Sequence, residues 1–300
     1  MSSASFEARE RRTAALFVAP AIAVIVLVAL TPIALTFWEA LHSHDLRLPW
    51  LGRPFVGLGN FAEALGDERF RAALIRTIVF ALVTVPVEIA CGVALALVMH
   101  TAVRGRGLVR AAALLPWAVP TVVAALVWRF MFDAQAGIFN VPLRAAGIVD
   151  AGFDWFVGPL TAWVPIALAD IWKSTPFVAI LVLAGLQTID TSLYEAAAID
   201  GAGRIRQFFT ITLPLLRPVL VVATAFRALD ALRLFDLAYV LTGGGPGSST
   251  EPLSLYAFVA LMQRLRFGYG SAISITVFLL TVGFALLWVR ALGRTLEGER

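Results

Sequence analysis

Six long apolar stretches govern what this chain can fold into: 14–38, 72–100, 111–132, 159–186, 215–240 and 271–291. Each exceeds the roughly 18 residues that a helix needs to cross a hydrocarbon core about 30 Å thick. Helices are the only option, because a lone strand in lipid leaves its backbone unsatisfied. The expected fold class is therefore all-α, a polytopic membrane protein with six transmembrane helices. Charge agrees, since 15% of the residues are Asp, Glu, Lys or Arg against about 25% in ordinary soluble domains. The mean hydropathy is +0.85.

The first stretch follows Arg9, Arg11 and Arg12 and contains Pro20 and Pro32. Its apolar run is longer than the 7–15 residues of a cleaved signal peptide, so it reads as a retained anchor. Arginine then orients the chain. With the N-terminus inside, the inner segments hold Arg9, Arg11, Arg12, Arg104, Arg106, Arg110, Arg204, Arg206, Arg217, Arg290, Arg294 and Arg300. The outer loops hold about half as many, and this bias predicts two cytoplasmic termini. The expected organisation is a cytoplasmic segment at 1–13, a six-helix permease domain at 14–291 and a cytoplasmic tail at 292–300.

A net charge of +4 does not mark a nucleic-acid binder, because the basic residues are spread over loop ends rather than gathered in one patch. Cys91 is the single cysteine, which excludes an internal disulfide or a thiolate metal site. His42, His44 and Asp45 share one outer loop, but a structural metal site usually needs four ligands and no fourth is evident. The one lysine, Lys173, follows Trp172 where a phosphate-binding loop requires glycine, so the chain carries no P-loop. H-E-x-x-H and G-x-S-x-G are absent too. The Gly-rich run 241–250, LTGGGPGSST, lacks a following lysine-bearing helix and reads as a flexible outer loop. No catalytic constellation and no metal are expected, and energy for transport must come from an ion gradient or another chain.

A polar island, SLYEAAAIDGAGRIRQFFTITLP at 192–214, interrupts the oily pattern. Ser192 and Glu195 fit a capping box, in which each side chain would cap the other's backbone amide. The following alanines favour helix, Gly201 favours a stop, and a second short helix can begin at Arg204. The result is a helix-turn-helix elbow on the cytoplasmic face. Physics alone also allows a capped interfacial linker whose arginines touch lipid headgroups.

Glu195, Ala196, Ala197, Gly201, Ile211, Leu213 and Pro214 match every defined position of the EAA signature. The chain thus resembles the permease subunits of ABC importers, with the type I importer permease fold. The resemblance implies that 192–214 is a coupling elbow seated on a separate ATPase. In it Glu195 meets a basic residue, Ala196 and Ala197 allow close approach, and Gly201 makes the turn. ATP and Mg would be bound by that ATPase dimer, with no cofactor in this chain.

FGYGSAIS at 267–274 and ALDALRLFDLAYVLTGG at 228–244 are similar to the maltose branch of carbohydrate permeases. LALVMH, GLVR and IWKSTPF are similar to its trehalose permeases. This implies the first permease of a heterodimeric pair, with a second permease, an extracytoplasmic sugar-binding protein and membrane lipid as partners. The expected location is a bacterial cytoplasmic (inner) membrane. Extra N-terminal helices and a large outer domain, present in some maltose permeases, are not expected in this chain.

Charges inside the apolar stretches point to a function or to internal pairing. Arg227, Asp230, Arg233 and Asp236 recur every three residues along the fifth stretch, so neighbours can pair. Asp170 and Lys173 repeat that spacing beside Trp172 and Thr175, while Glu88 stands alone. The eight other than Glu88 are the pathway candidates and could bind sugar hydroxyls, with an aromatic face for the ring. They could equally be ion pairs that orient helices. Pro116, Pro120, Pro165 and Pro176 predict bends.

Three functions compete at this point. An ATP-driven permease for trehalose, maltose, another glycoside or glycerol phosphate fits the elbow. An ion-coupled carrier would use the charges of the fifth stretch as a relay, but no inverted repeat is visible. A membrane-embedded enzyme would have to rely on His42, His44 and Asp45.

Overall fold

The computed structural model describes residues 3–101, 105–150 and 152–297; Arg104 and Arg300 of the orientation argument lie outside them, as do the side chains of Arg9, Arg11, Arg12, Arg106 and Arg294. The described chain is almost entirely helical. Among the described residues five helices are long and apolar enough to cross a membrane: Thr13–Ala40, Glu68–Thr101, Trp163–Leu186, Arg204–Ala231 and Phe267–Ala291. A sixth crossing is broken, Gly107–Ala118 followed by Thr121–Met131 at 92°. The third stretch is thus a bent pair rather than one rod. Pro120 causes the break, because it has no N–H to continue the ladder and disfavours helix at the residue before it.

Whether that pair crosses the membrane or turns back is decided by its neighbours. Spans two and four pack with their residue numbers rising together. The Phe80 ring lies 5.5 Å from that of Trp163, and further along Gly92 faces Val178. Ala96 and Met99 then share a core with Leu183 and Leu186. Helices that run parallel must be joined by an odd number of crossings, so the bent pair traverses the bilayer once. Six crossings result.

Two compact units divide these elements. One comprises Met1–Asp67 with Ala257–Thr276, the other Glu68–Tyr256 with Val277–Arg300. In the first unit Asn60 is buried and donates to the carbonyls of Ala40 and His42 at 2.7 and 3.0 Å. Ala40 packs there with Ala272 and Ile275. None of the apolar window of the first span is buried.

In the second unit spans two, four and five form the core. Gly92 lets spans two and four approach until a Cβ there would stand 2.4 Å from Val178 Cγ1. Small residues at helix contacts are the usual means of packing in lipid, where no hydrophobic force drives helices together. Span five runs opposite to span four, with Gly185 against Leu216 at one end and Asp170 near Arg227 at the other.

Two expectations need correction. The fifth helix ends at Ala231, and Asp236–Thr242 is a separate helix, so Arg233 and Asp236 do not continue one charged helix face. The run 241–250 is not a loose loop: the Thr242 and Thr250 hydroxyls meet at 2.6 Å, Arg76 donates to Ser248 O at 2.7 Å, and Trp163 Nε1 donates to Ser249 O at 2.9 Å. It leads into a further short apolar helix, Leu253–Gln263, whose first amide donates to Thr77 Oγ1 at 2.8 Å.

Candidate functional site

Most of the sequence-derived site candidates fall in two places among the described residues: an ion cluster among spans two, four and five with its surroundings, and the elbow between spans four and five. In the cluster, Arg227 donates through Nε to Glu88 Oε2 at 2.6 Å and through Nη2 to Glu88 Oε1 at 3.1 Å. Its Nη2 also reaches Asp170 Oδ2 at 3.4 Å, and its Nη1 reaches Asp230 Oδ2 at 3.2 Å. Arg233 holds the other Asp230 oxygen at 3.1 Å. Glu88 is wholly buried and Arg227 nearly so, so three helices are tied by one planar guanidinium whose fork fits a carboxylate.

Glu88 therefore does not stand alone. The sequence signal was present, since a carboxylate in mid-span requires a counter-ion, but spacing could not choose among the arginines of other spans. Asp170 and Lys173, expected to pair at i,i+3, point to different neighbours. Asp170 turns to Arg227, and Lys173 donates to Val119 O at 2.6 Å and Trp117 O at 3.4 Å, the carbonyls at the break of span three. Thr175 bonds Ile171 O in its own helix at 2.6 Å.

Accessible groups form a second set. The Asp230 and Arg233 side chains keep 59% and 60% of their exposure, and Trp172 and Asp236 are exposed. The Trp172 ring meets that of Trp128 edge-on at 5.9 Å, and Phe177 lies between Trp117 and Phe226. This set can offer acceptors, donors and apolar ring faces together. By contrast, a groove of about 530 Å³ among spans two, five and six is lined by aliphatic and aromatic side chains with Thr224 the one hydroxyl. Hydrocarbon suits it; a polyol does not.

The elbow helix spans Thr191–Ile199. Its N-cap is Asp190, whose carboxylate accepts the Ser192 N–H at 2.9 Å, so the capping box expected from Ser192 and Glu195 does not form. Asp190 stands one residue before the helix and its short carboxylate reaches the second amide. The Ser192 amide, and then its hydroxyl, hold the Asp190 carboxyl below its usual range. This cap is present above the ordinary carboxylate pKa and is lost as pH falls through the lowered value. Glu195 is left exposed, with its carboxylate free of capping duty.

At the other end Ala202 N–H donates to Ala197 O at 2.8 Å and Gly201 N–H to Ala198 O at 3.0 Å, the two bonds of a Schellman motif. Gly201 has φ +80°, which a residue with a Cβ adopts at a cost of about 1–2 kcal/mol. The turn is fastened beneath by Tyr194 OH to Thr212 Oγ1 at 2.9 Å and by Gln207 Nε2 to Ala202 O at 3.0 Å. From Arg204 the chain continues as helix to Ala231 without a stop at Pro214; a π-helical turn at Phe208–Thr212 immediately precedes the proline and accommodates its missing N–H. Ile211 and Leu213 are half-buried, while Ile199 and Ile205 are 88% and 77% exposed.

His42, His44 and Asp45 do not converge. His42 Nδ1 meets Trp38 O at 2.7 Å, His44 Nδ1 meets Glu39 Oε2 at 2.8 Å, and Asp45 is held at about 2 by its bond to Arg47.

Residues 88–295 match the family model described as binding-protein-dependent transport system inner membrane component. The chain is 42% identical over 282 residues to the trehalose/maltose transport system permease protein MalF of Thermococcus litoralis, covering 94% of each. It is 38% identical over 281 residues to the sulfoquinovosyl glycerol transport system permease protein SmoG of Agrobacterium fabrum, covering 94% of this chain and 90% of that one. Its fold is similar to a chain of a bacterial ABC transporter involved in the import of the acidic polysaccharide alginate, with TM-score 0.82, 20% identity and coverage of 98% and 99%. Six crossings, an exposed EAA elbow and these similarities agree: the chain belongs to the binding-protein-dependent inner membrane components and is a multi-pass permease subunit of an ABC importer, not an enzyme.

Proposed function

We propose that this permease forms half of the pathway for a neutral disaccharide of the trehalose or maltose type. The observation that carries the reading is the 42% identity, over 94% of both chains, to a permease named for those sugars. Asp230, Arg233, Asp236 and Trp172 are its pathway groups, because they combine hydrogen-bonding atoms with an aromatic face and remain accessible. Asp170, Lys173, Thr175 and Arg227 stand behind them, each bonded within the protein. A second, similar permease completes the pathway, and a sugar-binding protein delivers the ligand from outside.

The elbow meets a separate ATPase dimer that binds ATP and Mg. Glu195 offers an exposed carboxylate for a basic partner, Ala196 and Ala197 allow close approach, and Ile199 and Ile205 supply exposed apolar area. Gly201, Ile211, Leu213 and Pro214 set its turn and its join to span five. This reading puts the elbow and both termini in the cytoplasm, as the arginine bias requires.

Reconstitution with the ATPase, the second permease and the binding protein tests it. Trehalose or maltose should stimulate ATP hydrolysis, and Glu195→Lys should reduce that stimulation by roughly tenfold or more, since reversing a contact charge costs at least about 1.4 kcal/mol. Stimulation by neither sugar would refute the substrate; full stimulation in Glu195→Lys would refute the coupling role.

A further inference from the structure

We infer that Lys173 is the clasp of the broken third span: it positions the bend of this permease and does not touch the transported ligand. The inference rests on the permease assignment but not on the identity of the sugar. Breaking a helix at 92° inside a bilayer strands the last carbonyls of the first half-helix. Pro120 follows Val119 and has no N–H, and the second half starts its own ladder from Pro120 O to the Ala124 N–H at 3.0 Å. In water such carbonyls would be solvated; in lipid each unsatisfied group costs several kcal/mol, so non-helical backbone survives there only with partners supplied by neighbouring elements.

Span four supplies that partner. Lys173 Nζ donates to Val119 O at 2.6 Å and to Trp117 O at 3.4 Å, and it is half-buried while doing so. An ammonium suits the place on two counts. It carries three donors on a long flexible stem, and as a cation at the C-terminal end of a half-helix it complements the dipole. It is the chain's single lysine, and what the place asks of it is a cation with enough donors for two carbonyls on one turn. One turn earlier Asp170 faces Arg227. Span four thus grips span five through its carboxylate and span three through its amine, and the corner of span three inherits its position from the ion cluster.

Trp172 is the exposed neighbour of Lys173 and touches Trp128 beyond the corner at 5.9 Å. Releasing the clasp should let the second half-helix wander and carry Trp128 and Trp172 with it. The effect falls on turnover, because ligand capture belongs to the binding protein.

The test uses the assembled importer with Cys91→Ser and spin labels on cysteines replacing Ala112 and Val127, exposed positions on the two arms of the bend. With Lys173 present the label-to-label distance distribution should be narrow. Lys173→Met should broaden it and lower trehalose-stimulated turnover by roughly tenfold, the scale of one buried acceptor left unpaired, with the half-saturating trehalose concentration unchanged. Lys173→Arg, which keeps charge and donors, should restore both readouts. A narrow distribution in Lys173→Met, or a shifted half-saturation with turnover intact, overturns the clasp. If Lys173→Met does not assemble, Lys173→Arg decides: a distribution as narrow as that of the unsubstituted chain supports the clasp, and a broad one overturns it. If the unsubstituted importer ignores trehalose, the sugar reading fails while the distance distributions still judge Lys173.

Discussion

Arg227 is the residue on which the membrane interior of this chain most depends. It stands 2.6 Å from a wholly buried Glu88 and touches two further carboxylates. Such a cluster is a poor source of net stability, since desolvation offsets most of the attraction, but removing one member is costly. Arg227→Met should destabilise the detergent-purified permease by about 3–5 kcal/mol, because Glu88 and Asp170 keep their burial without their cation. Adding Glu88→Gln to it should recover part of that loss. Thermal unfolding of the two variants checks the expectation, and a double variant no more stable than the single would show that the two side chains are not coupled. Lys173 and Asp170 teach the same lesson at this scale: they fit a helical ion pair by spacing, yet each found a partner with a greater need, a buried arginine and a pair of stranded carbonyls.

Packing between elements is set by glycine as much as by charge. At Gly92 the contact is so close that a Cβ would fall 2.4 Å from Val178 Cγ1 and 2.5 Å from its Cβ. Gly92→Ala should therefore separate spans two and four and destabilise by about 1–3 kcal/mol, the usual cost of overpacking. Val178→Ala in the same chain removes Cγ1 but keeps the Cβ at 2.5 Å, so it should relieve only part of that loss, as measured by melting of both variants; full relief would show that the two helices are not held this close. The elbow uses glycine differently. Gly201 has open space around it and is required for its left-handed φ, so a substitution there strains the turn without pushing on a neighbour. Asp190, and not Ser192, caps the elbow helix, which leaves the Glu195 carboxylate exposed and free of capping.

For the whole molecule, the parallel pairing of spans two and four forces the broken pair to cross. With Cys91 replaced by serine, a cysteine at Thr191 on the elbow should react with a membrane-impermeant maleimide in inverted vesicles and not in intact cells. A cysteine at Arg47, one crossing from the N-terminus, should react in intact cells instead. Labelling of both positions from the same side would overturn the six-crossing topology.

Much of this architecture was legible without coordinates, and for a physical reason. Hydropathy is a one-dimensional property, and lipid compels each apolar stretch of sufficient length to become a helix, so the six apolar stretches and the exposed elbow follow from composition read along the chain. The EAA positions are equally local, seven residues in one loop. What the sequence could not decide depends on groups far apart in number. Glu88 meets Arg227 139 residues later, Lys173 reaches back to Val119 across 54, and Arg69 holds Glu251 across 182. Each charge had several chemically equivalent partners at the level of sequence, and only the approach of the helices, set by small residues such as Gly92, selects one. Which stretches become apolar helices was determined by the chain's own hydropathy; which charges face one another, how the third span bends and that it crosses were decided by tertiary packing, because in a medium without water every stranded polar group must take whichever partner the fold brings within reach.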